Sequence, residues 1–254
     1  MDNGRMSLMQ HLEELRRRIV RAFWAWLIAF MVCYNYAEEM YLTISRPLRD
    51  ALPAGTKLVF LTATEPFFAY MKIAAFAGLL VALPVIFWQL WGFIAPALYA
   101  HEKRYVIPFV VLSSGCFLAG TVFGFQVAFP LMFGFLVEAG TAGGEVVPML
   151  SMGSYLSLAG QMLLAFGITF ELPIVILFLA RIGVIDYPLL ARNRKYALLV
   201  CFILGAVFSP PDVVSQTVLA VPMFCLYEVG IWLAYFFGKK KAPPAEAAEP
   251  AGTA

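Results

Sequence analysis

Charge is scarce in this chain. Of its 254 residues, 13% are Asp, Glu, Lys or Arg and 62% are hydrophobic, with a mean hydropathy of +0.81. So little polar surface cannot cover a water-facing globule, which excludes a soluble protein of one or two domains. Cysteine is scarce too. Cys33, Cys116, Cys201 and Cys225 fall singly in apolar stretches without CxxC spacing, which argues against a disulfide or thiolate-metal framework and for small buried hydrophobes. A zinc site from His11, Glu14, His101 and Glu102 would have suitable ligand types, but no HExxH or CxxC pattern supports it, so no metal or other cofactor is expected. GxxxxGK[ST], helix-opening GxGxxG and GxSxG motifs are all missing, which argues against ATP-driven or hydrolytic chemistry by this chain alone. The expected protein is not an enzyme. The first apolar stretch carries no small-residue cleavage site and reads as a retained span instead of a signal peptide.

What is present is a series of long apolar stretches. Six are legible: about 19–37, 66–98, 105–137, 155–180, 196–208, and one from 213 to just before the lysines at 239–241. Backbone groups in hydrocarbon must be paired within the segment, so each is expected to be a helix; the alternation of a β-barrel strand is absent. The distribution of Lys and Arg sets the direction. Arg5, Arg16, Arg17, Arg18 and Arg21 precede or open the first span, and Lys103 and Arg104 fall in the second connection. Arg181, Arg192, Arg194 and Lys195 flank the fourth, and Lys239, Lys240 and Lys241 follow the sixth span. The other side holds only Arg46, Arg49 and Lys57, while Lys72 lies inside a span. Positive-inside bias therefore predicts cytoplasmic N and C termini and six spans. The second and third stretches, about 33 residues or roughly 50 Å each, exceed a core of about 30 Å and must tilt, bend or project, with Pro84, Pro108 and Pro130 as bend points. The fifth is short, and the sixth is expected to be short as well. The predicted fold is all-α, an uneven, concave or cup-shaped bundle: a cytoplasmic amphipathic segment at 1–18, a membrane domain at 19–237, and a disordered Pro/Ala/Glu-rich tail at 238–254. Gly115/Ala119 and Gly120/Gly124 are small pairs that suit close helix packing.

Few polar residues are placed where chemistry could use them. In "HLEELRRRI" (11–19), Glu13 with Arg17 and Glu14 with Arg18 are i,i+4 pairs, and Leu12, Leu15, Ile19 and Phe23 form an apolar stripe. By periodicity alone this is an interfacial amphipathic helix. A second acid, Glu102 in "APALYAHEKRY" (95–105), falls on the same side among basic residues. Within the fourth span Glu171 is either a functional group or a protonated acid bonded to a neighbouring helix. In "TATEPF" (62–67), Thr64 is placed to cap a helix, Glu65 to favour its dipole, and Pro66 to occupy its first turn.

These segments together resemble a known family. "HLEELRRRI", "TATEPF", "FWQLWGFIAPALYAHEKRY", "FGITFELP" and "SPPDVVSQTVLAVPMFCLYE" stand in the order expected of TatC, the large subunit of the twin-arginine protein translocase, from His11 to about Glu228. The resemblance implies a receptor in the bacterial cytoplasmic membrane for twin-arginine signal peptides of folded proteins. It also implies TatB-like and TatA-like single-span partners, self-association in a larger complex, no nucleic-acid partner, and export driven by the proton-motive force. By motif, Glu14 and Glu102 would receive the arginines, with Arg16 and Phe93 in the same patch. Glu13, adjacent to Glu14, leaves open which acid faces the ligand. Pro47, Glu65 and Pro66 would belong to a structural cap, Glu171 would be the intramembrane acid, and Ser209, Asp212 and Gln216 would lie where the single-span partners dock. The alternative is a proton-coupled small-solute transporter using Glu171.

Overall fold

The computed structural model describes residues 8–52, 58–94, 106–141 and 151–238. They are helical almost throughout. The order is α1 (Leu8–Tyr34), α2 (Ala37–Ile44), α3 (Arg46–Ala51), α4 (Glu65–Ile94), α5 (Val106–Phe123), a π-helical turn (Gly124–Ala128), α6 (Phe129–Thr141), α7 (Met152–Phe170), α8 (Leu172–Arg181), α9 (Tyr187–Arg192), α10 (Arg194–Phe208) and α11 (Val213–Phe237). No strand forms among the described residues; a single bridge pairs Val59 with Ser151.

Four segments are long and apolar enough to cross a membrane: Glu65–Ile94, Ile107–Thr141, Met152–Arg181 and Val213–Phe237. A fifth is added if α1 and the α2–α3 pair, bent by 84° at Asn35–Tyr36, count as one. The chain is therefore a multi-pass membrane protein. Its outward surface fits that environment, with Val81, Val111, Leu131, Ile168, Val207 and Trp232 all exposed. The fifth stretch is short as expected, since the 15 residues of α10 rise only about 22 Å. The sixth is not short. Val213–Phe237 runs 25 residues with Pro222 inside it; the proline removes one donor but does not end the helix. Pro84 likewise lies within α4. Pro130 acts differently: it follows the π-helical turn, where Phe129 N–H bonds to the Gly124 carbonyl, and it cannot donate a ladder bond of its own.

Helix ends are satisfied locally. Asn35 Nδ2 bonds to the Met31 carbonyl at 3.0 Å at the end of α1. The α8 end is a Schellman turn, with Val184 N–H on the Leu179 carbonyl at 2.9 Å and Gly183 at φ 79°, a conformation that suits glycine. Asp212 caps α11 by accepting from Ser215 N–H at 2.7 Å.

Glycine sets the closest helix contacts. α1 runs antiparallel along α4, and a Cβ on Gly78 would sit 2.7 Å from Phe30 Cα; Trp26 Nε1 bonds to the Ala75 carbonyl across the same seam at 3.0 Å. Gly120 and Gly124 abut Phe166 of α7, as the sequence suggested, whereas Gly115 faces open space. Gly230 abuts Ile176, joining α11 to α8. The core lies around Phe129, Met132, Met162, Phe166 and Leu219, all fully buried. The cysteines follow the sequence reading only in part. Cys33 and Cys201 are buried, but Cys225 is exposed, because a lipid-facing position tolerates a small apolar residue as well as the core does.

Substituting Gly78 by Val should destabilise the purified protein by about 1–3 kcal/mol through overpacking. Gly115→Ala, with room to spare, should be neutral or stabilising by up to about 1 kcal/mol. Thermal melts in detergent would show whether the two part in this way.

Candidate functional site

The polar residues gather at the two ends of the bundle. At one end, α1 and α4 meet. His11 stacks on Phe93 with ring centroids 4.4 Å apart and planes inclined by 22°. Arg18 lies over Gly92, whose missing side chain leaves room for the guanidinium. Glu14 stands between them on α1, its Oε1 accepting from Arg18 Nε at 2.9 Å and Nη2 at 2.6 Å. The other oxygen, Oε2, is buried without a hydrogen-bond partner among the described residues. The side chains of Glu14 and Arg18 are only 17% and 22% exposed, so this pair is screened less than a surface pair.

The face of α1 that packs is therefore polar, made by His11, Glu14, Leu15 and Arg18. Three members of the expected apolar stripe, Leu12, Ile19 and Phe23, are 60%, 58% and 50% exposed and point away from the bundle. In lipid nothing drives leucines inward. Gln10, Glu13, Glu14, Arg17, Arg18 and Arg21 border a polar cleft of about 500 Å³. Glu13 and Arg16 are both exposed. Glu102 and His101 lie outside the described residues.

The opposite end is closed by a cap of α2, α3 and the chain leading into α4. Glu65 joins it together: its Oε2 accepts from Leu61 N–H at 2.7 Å, and its Oε1 accepts from Gly153 N–H at 2.5 Å and from the Ser151 hydroxyl. One carboxylate thus links the start of α4 to the start of α7 by charge-assisted bonds. A Cβ on Gly153 would run into it at 2.7 Å from Cγ. Thr64, expected to cap α4 through its hydroxyl, contributes its carbonyl to Phe68 N–H, the first helical bond, while the Glu65 side chain holds Leu61 N–H ahead of the helix. Pro47 and Pro66 sit in the first turns of α3 and α4, where a missing N–H costs nothing. Tyr155 of α7 donates to the Ile44 carbonyl at 2.6 Å, tying α2 down.

Between the ends, Glu171 occupies the junction of α7 and α8, followed by Pro173 in the first turn of α8. Ser113 of α5 lies beside its carboxyl and accepts from Trp91 Nε1 at 3.1 Å; Glu171 Oε1 is buried without a hydrogen-bond partner among the described residues. Sequence reasoning missed Ser113 as a neighbour of this acid, because it comes from another helix. Ser209, Asp212 and Gln216 cluster at the α10–α11 turn. Gln216 Nε2 donates to the Phe202 carbonyl at 2.9 Å, Gly205 lets the Gln216 backbone come close, and Ser209 is buried. At the far end of the same helix pair, Arg194 Nε pairs with Glu228 Oε1 at 2.8 Å.

The described residues form an all-α, multi-pass membrane protein with a polar site at one end and a hydrogen-bonded cap at the other. Comparison with known proteins narrows the class. The family model of the Sec-independent protein translocase protein (TatC) matches residues 10–222. The TatC protein of Desulforapulum autotrophicum is 43% identical over 241 residues, covering 94% of this chain and 88% of its own length. That of Escherichia coli K12 is 39% identical over 230 residues, covering 91% and 88%. A crystal structure described as the twin arginine translocase receptor TatC superposes with a TM-score of 0.80 at 38% identity, covering 89% of this chain and 98% of the other. The chain belongs to the TatC family.

Glu65→Ala should lower the melting temperature, because Leu61 N–H, Gly153 N–H and the Ser151 hydroxyl lose their shared acceptor. Glu65→Gln, which keeps one oxygen, should lower it less. Equal melting of all three proteins would show that the cap holds without this carboxylate.

Proposed function

We propose that this TatC-family protein is the receptor subunit that binds twin-arginine signal peptides, and that the α1–α4 end is half of the binding surface. The observation that carries the reading is Glu14. Arg18 fixes its carboxylate through one oxygen and leaves the other, buried Oε2, without a partner among the described residues beside the polar cleft. A guanidinium presents paired planar donors that fit a carboxylate in a way an ammonium cannot. Glu102, on the connection after α4, supplies the second acid, so that each arginine of the pair has its own carboxylate. Phe93 offers an apolar wall, Arg16 belongs to the rim, and Glu13 contributes negative charge at the cleft edge.

In this reading both termini and the Glu14 end are cytoplasmic, in the bacterial inner membrane, and the Glu65 cap is on the opposite side. There are six spans: α1, α4, α5 through α6, α7 with α8, the short α10, and α11. TatB-like and TatA-like single-span subunits dock at the α10–α11 pair near Ser209, Asp212 and Gln216, further copies of the chain join the assembly, and the proton-motive force drives export. The chain performs no catalysis of its own. The small-solute transporter alternative finds no support in the family match or the superposed structure, and Glu171 serves as an intramembrane polar group of the translocase.

Binding of a fluorescent twin-arginine signal peptide to the purified protein tests the proposal. Glu14→Gln should weaken binding about tenfold, the effect of losing one charged hydrogen bond. Exchanging the peptide's arginine pair for lysines should cost clearly less in Glu14→Gln than in the unaltered protein. Strictly additive losses would remove Glu14 from the contact.

A further inference from the structure

Oε1 of Glu14 is full. It accepts from both Nε and Nη2 of Arg18, at 2.9 and 2.6 Å, and a carboxylate oxygen has two lone pairs. A second guanidinium can therefore reach only Oε2. The planar contact by which arginine differs from lysine uses both oxygens, one for each of two parallel N–H bonds. A peptide arginine that meets Glu14 while Arg18 is in place is limited to a single oxygen, where an ammonium does as well. Two guanidiniums on one carboxylate also repel each other at contact distance.

Arg18 has an acceptor to move to. Gln89 of α4 comes eleven residues after Gly78 and three before Gly92, three turns from one and one turn from the other. It therefore shares the face that those glycines turn to α1. Its Oε1 is buried and has no hydrogen-bond partner among the described residues, an unfavourable state for an amide oxygen. The Arg18 guanidinium rests on Gly92, and Nη1 is the atom nearest the missing Cβ. A Cβ at that position tilts toward the helix N terminus, the direction of Gln89. Side chains three residues apart on a helix are about 5–6 Å apart at Cβ, a distance that rotation of the long arginine stem covers. Nη1 is also the nitrogen that Glu14 does not use.

We propose that Arg18 is an internal occupant of the arginine site, and that Gln89 receives its guanidinium when a peptide binds. In the empty protein Arg18 neutralises Glu14. The incoming arginine first meets Oε2. Arg18 then moves one turn along α4 to Gln89 Oε1, and Oε1 of Glu14 becomes free for the second N–H of the peptide arginine. Glu14 keeps a cation throughout, and Arg18 gains an acceptor for the one it gives up. A peptide lysine has no second planar donor for the vacated oxygen and gains nothing from the exchange. Gln89 is thus a positioning residue that acts through Arg18 and adds to the choice of arginine over lysine. The inference rests on the proposed role of Glu14 as an arginine contact.

Affinities of the purified full-length protein for the fluorescent twin-arginine peptide and for its lysine-pair variant test the exchange. Gln89→Leu should weaken arginine-pair binding about tenfold and lysine-pair binding much less, so that the preference for arginine falls. Gln89→Glu, which keeps an acceptor for Arg18, should retain the preference. In Arg18→Met no cation is left to move, and adding Gln89→Leu should change nothing further. Melting curves identify any variant that is unfolded; if Arg18→Met is one, the arginine-to-lysine ratios of Gln89→Leu and Gln89→Glu decide alone. An unaltered preference in folded Gln89→Leu, or equal weakening for both peptides, would overturn the exchange. So would a Gln89→Leu loss that persists in full without Arg18. Glu14→Gln separates the two levels. Weakened binding there with Gln89→Leu silent would strike the exchange and keep the receptor contact, whereas unchanged binding in Glu14→Gln would remove both.

Discussion

The seam between α1 and α4 determines where everything at the Glu14 end is placed. Gly78 allows the α1 backbone at Phe30 to come within contact distance of α4, and Trp26 fixes the register by bonding to the Ala75 carbonyl. With two antiparallel helices held there, the remaining turns follow along the same seam. Arg18 falls over Gly92 and His11 over Phe93. Glu14 is then fixed on the packed face, away from lipid and against a single guanidinium. A shift of one residue at Gly78 would rotate that face by about 100° and carry the carboxylate toward the membrane.

The two ends use carboxylates in opposite ways. Glu65 has donors for both oxygens and acts as a staple between the chain entering α4 and the start of α7. Such a fully used acid rigidifies and offers nothing to a ligand. Glu14 has one oxygen engaged and one without a partner among the described residues. A buried carboxylate oxygen without a donor is costly unless a partner completes it, which is the physical basis for reading this end as a receptor and the other as a cap. Glu171 is intermediate, beside Ser113 but with Oε1 unmet among the described residues, at a junction where the helix is already interrupted.

Lys72 adds a third kind of polar group, neither staple nor receptor. Its bond to Ser157 ties α4 to α7, the same two helices that Glu65 joins a few turns away.

The sequence by itself determined the helical class, the long spans, and the brevity of α10, because hydrocarbon allows an isolated apolar segment no structure except a self-satisfied helix. It also marked Glu14, Glu65 and Glu171, since acids are conspicuous in a chain so poor in charge. The stripe of Leu12, Ile19 and Phe23, read as the apolar face of an interfacial helix, is exposed, as such a face is where the solvent is lipid. The sequence also suggests a short sixth span, whereas α11 continues through Pro222. Only the tertiary structure decided that Arg18 and Gly92 place Glu14, that Ser113 lies beside Glu171, and that Lys72 meets Ser157. Those contacts join residues from separate helices, and their register is set by glycine-mediated approach across the bundle, which has no periodicity along the chain from which it could be read.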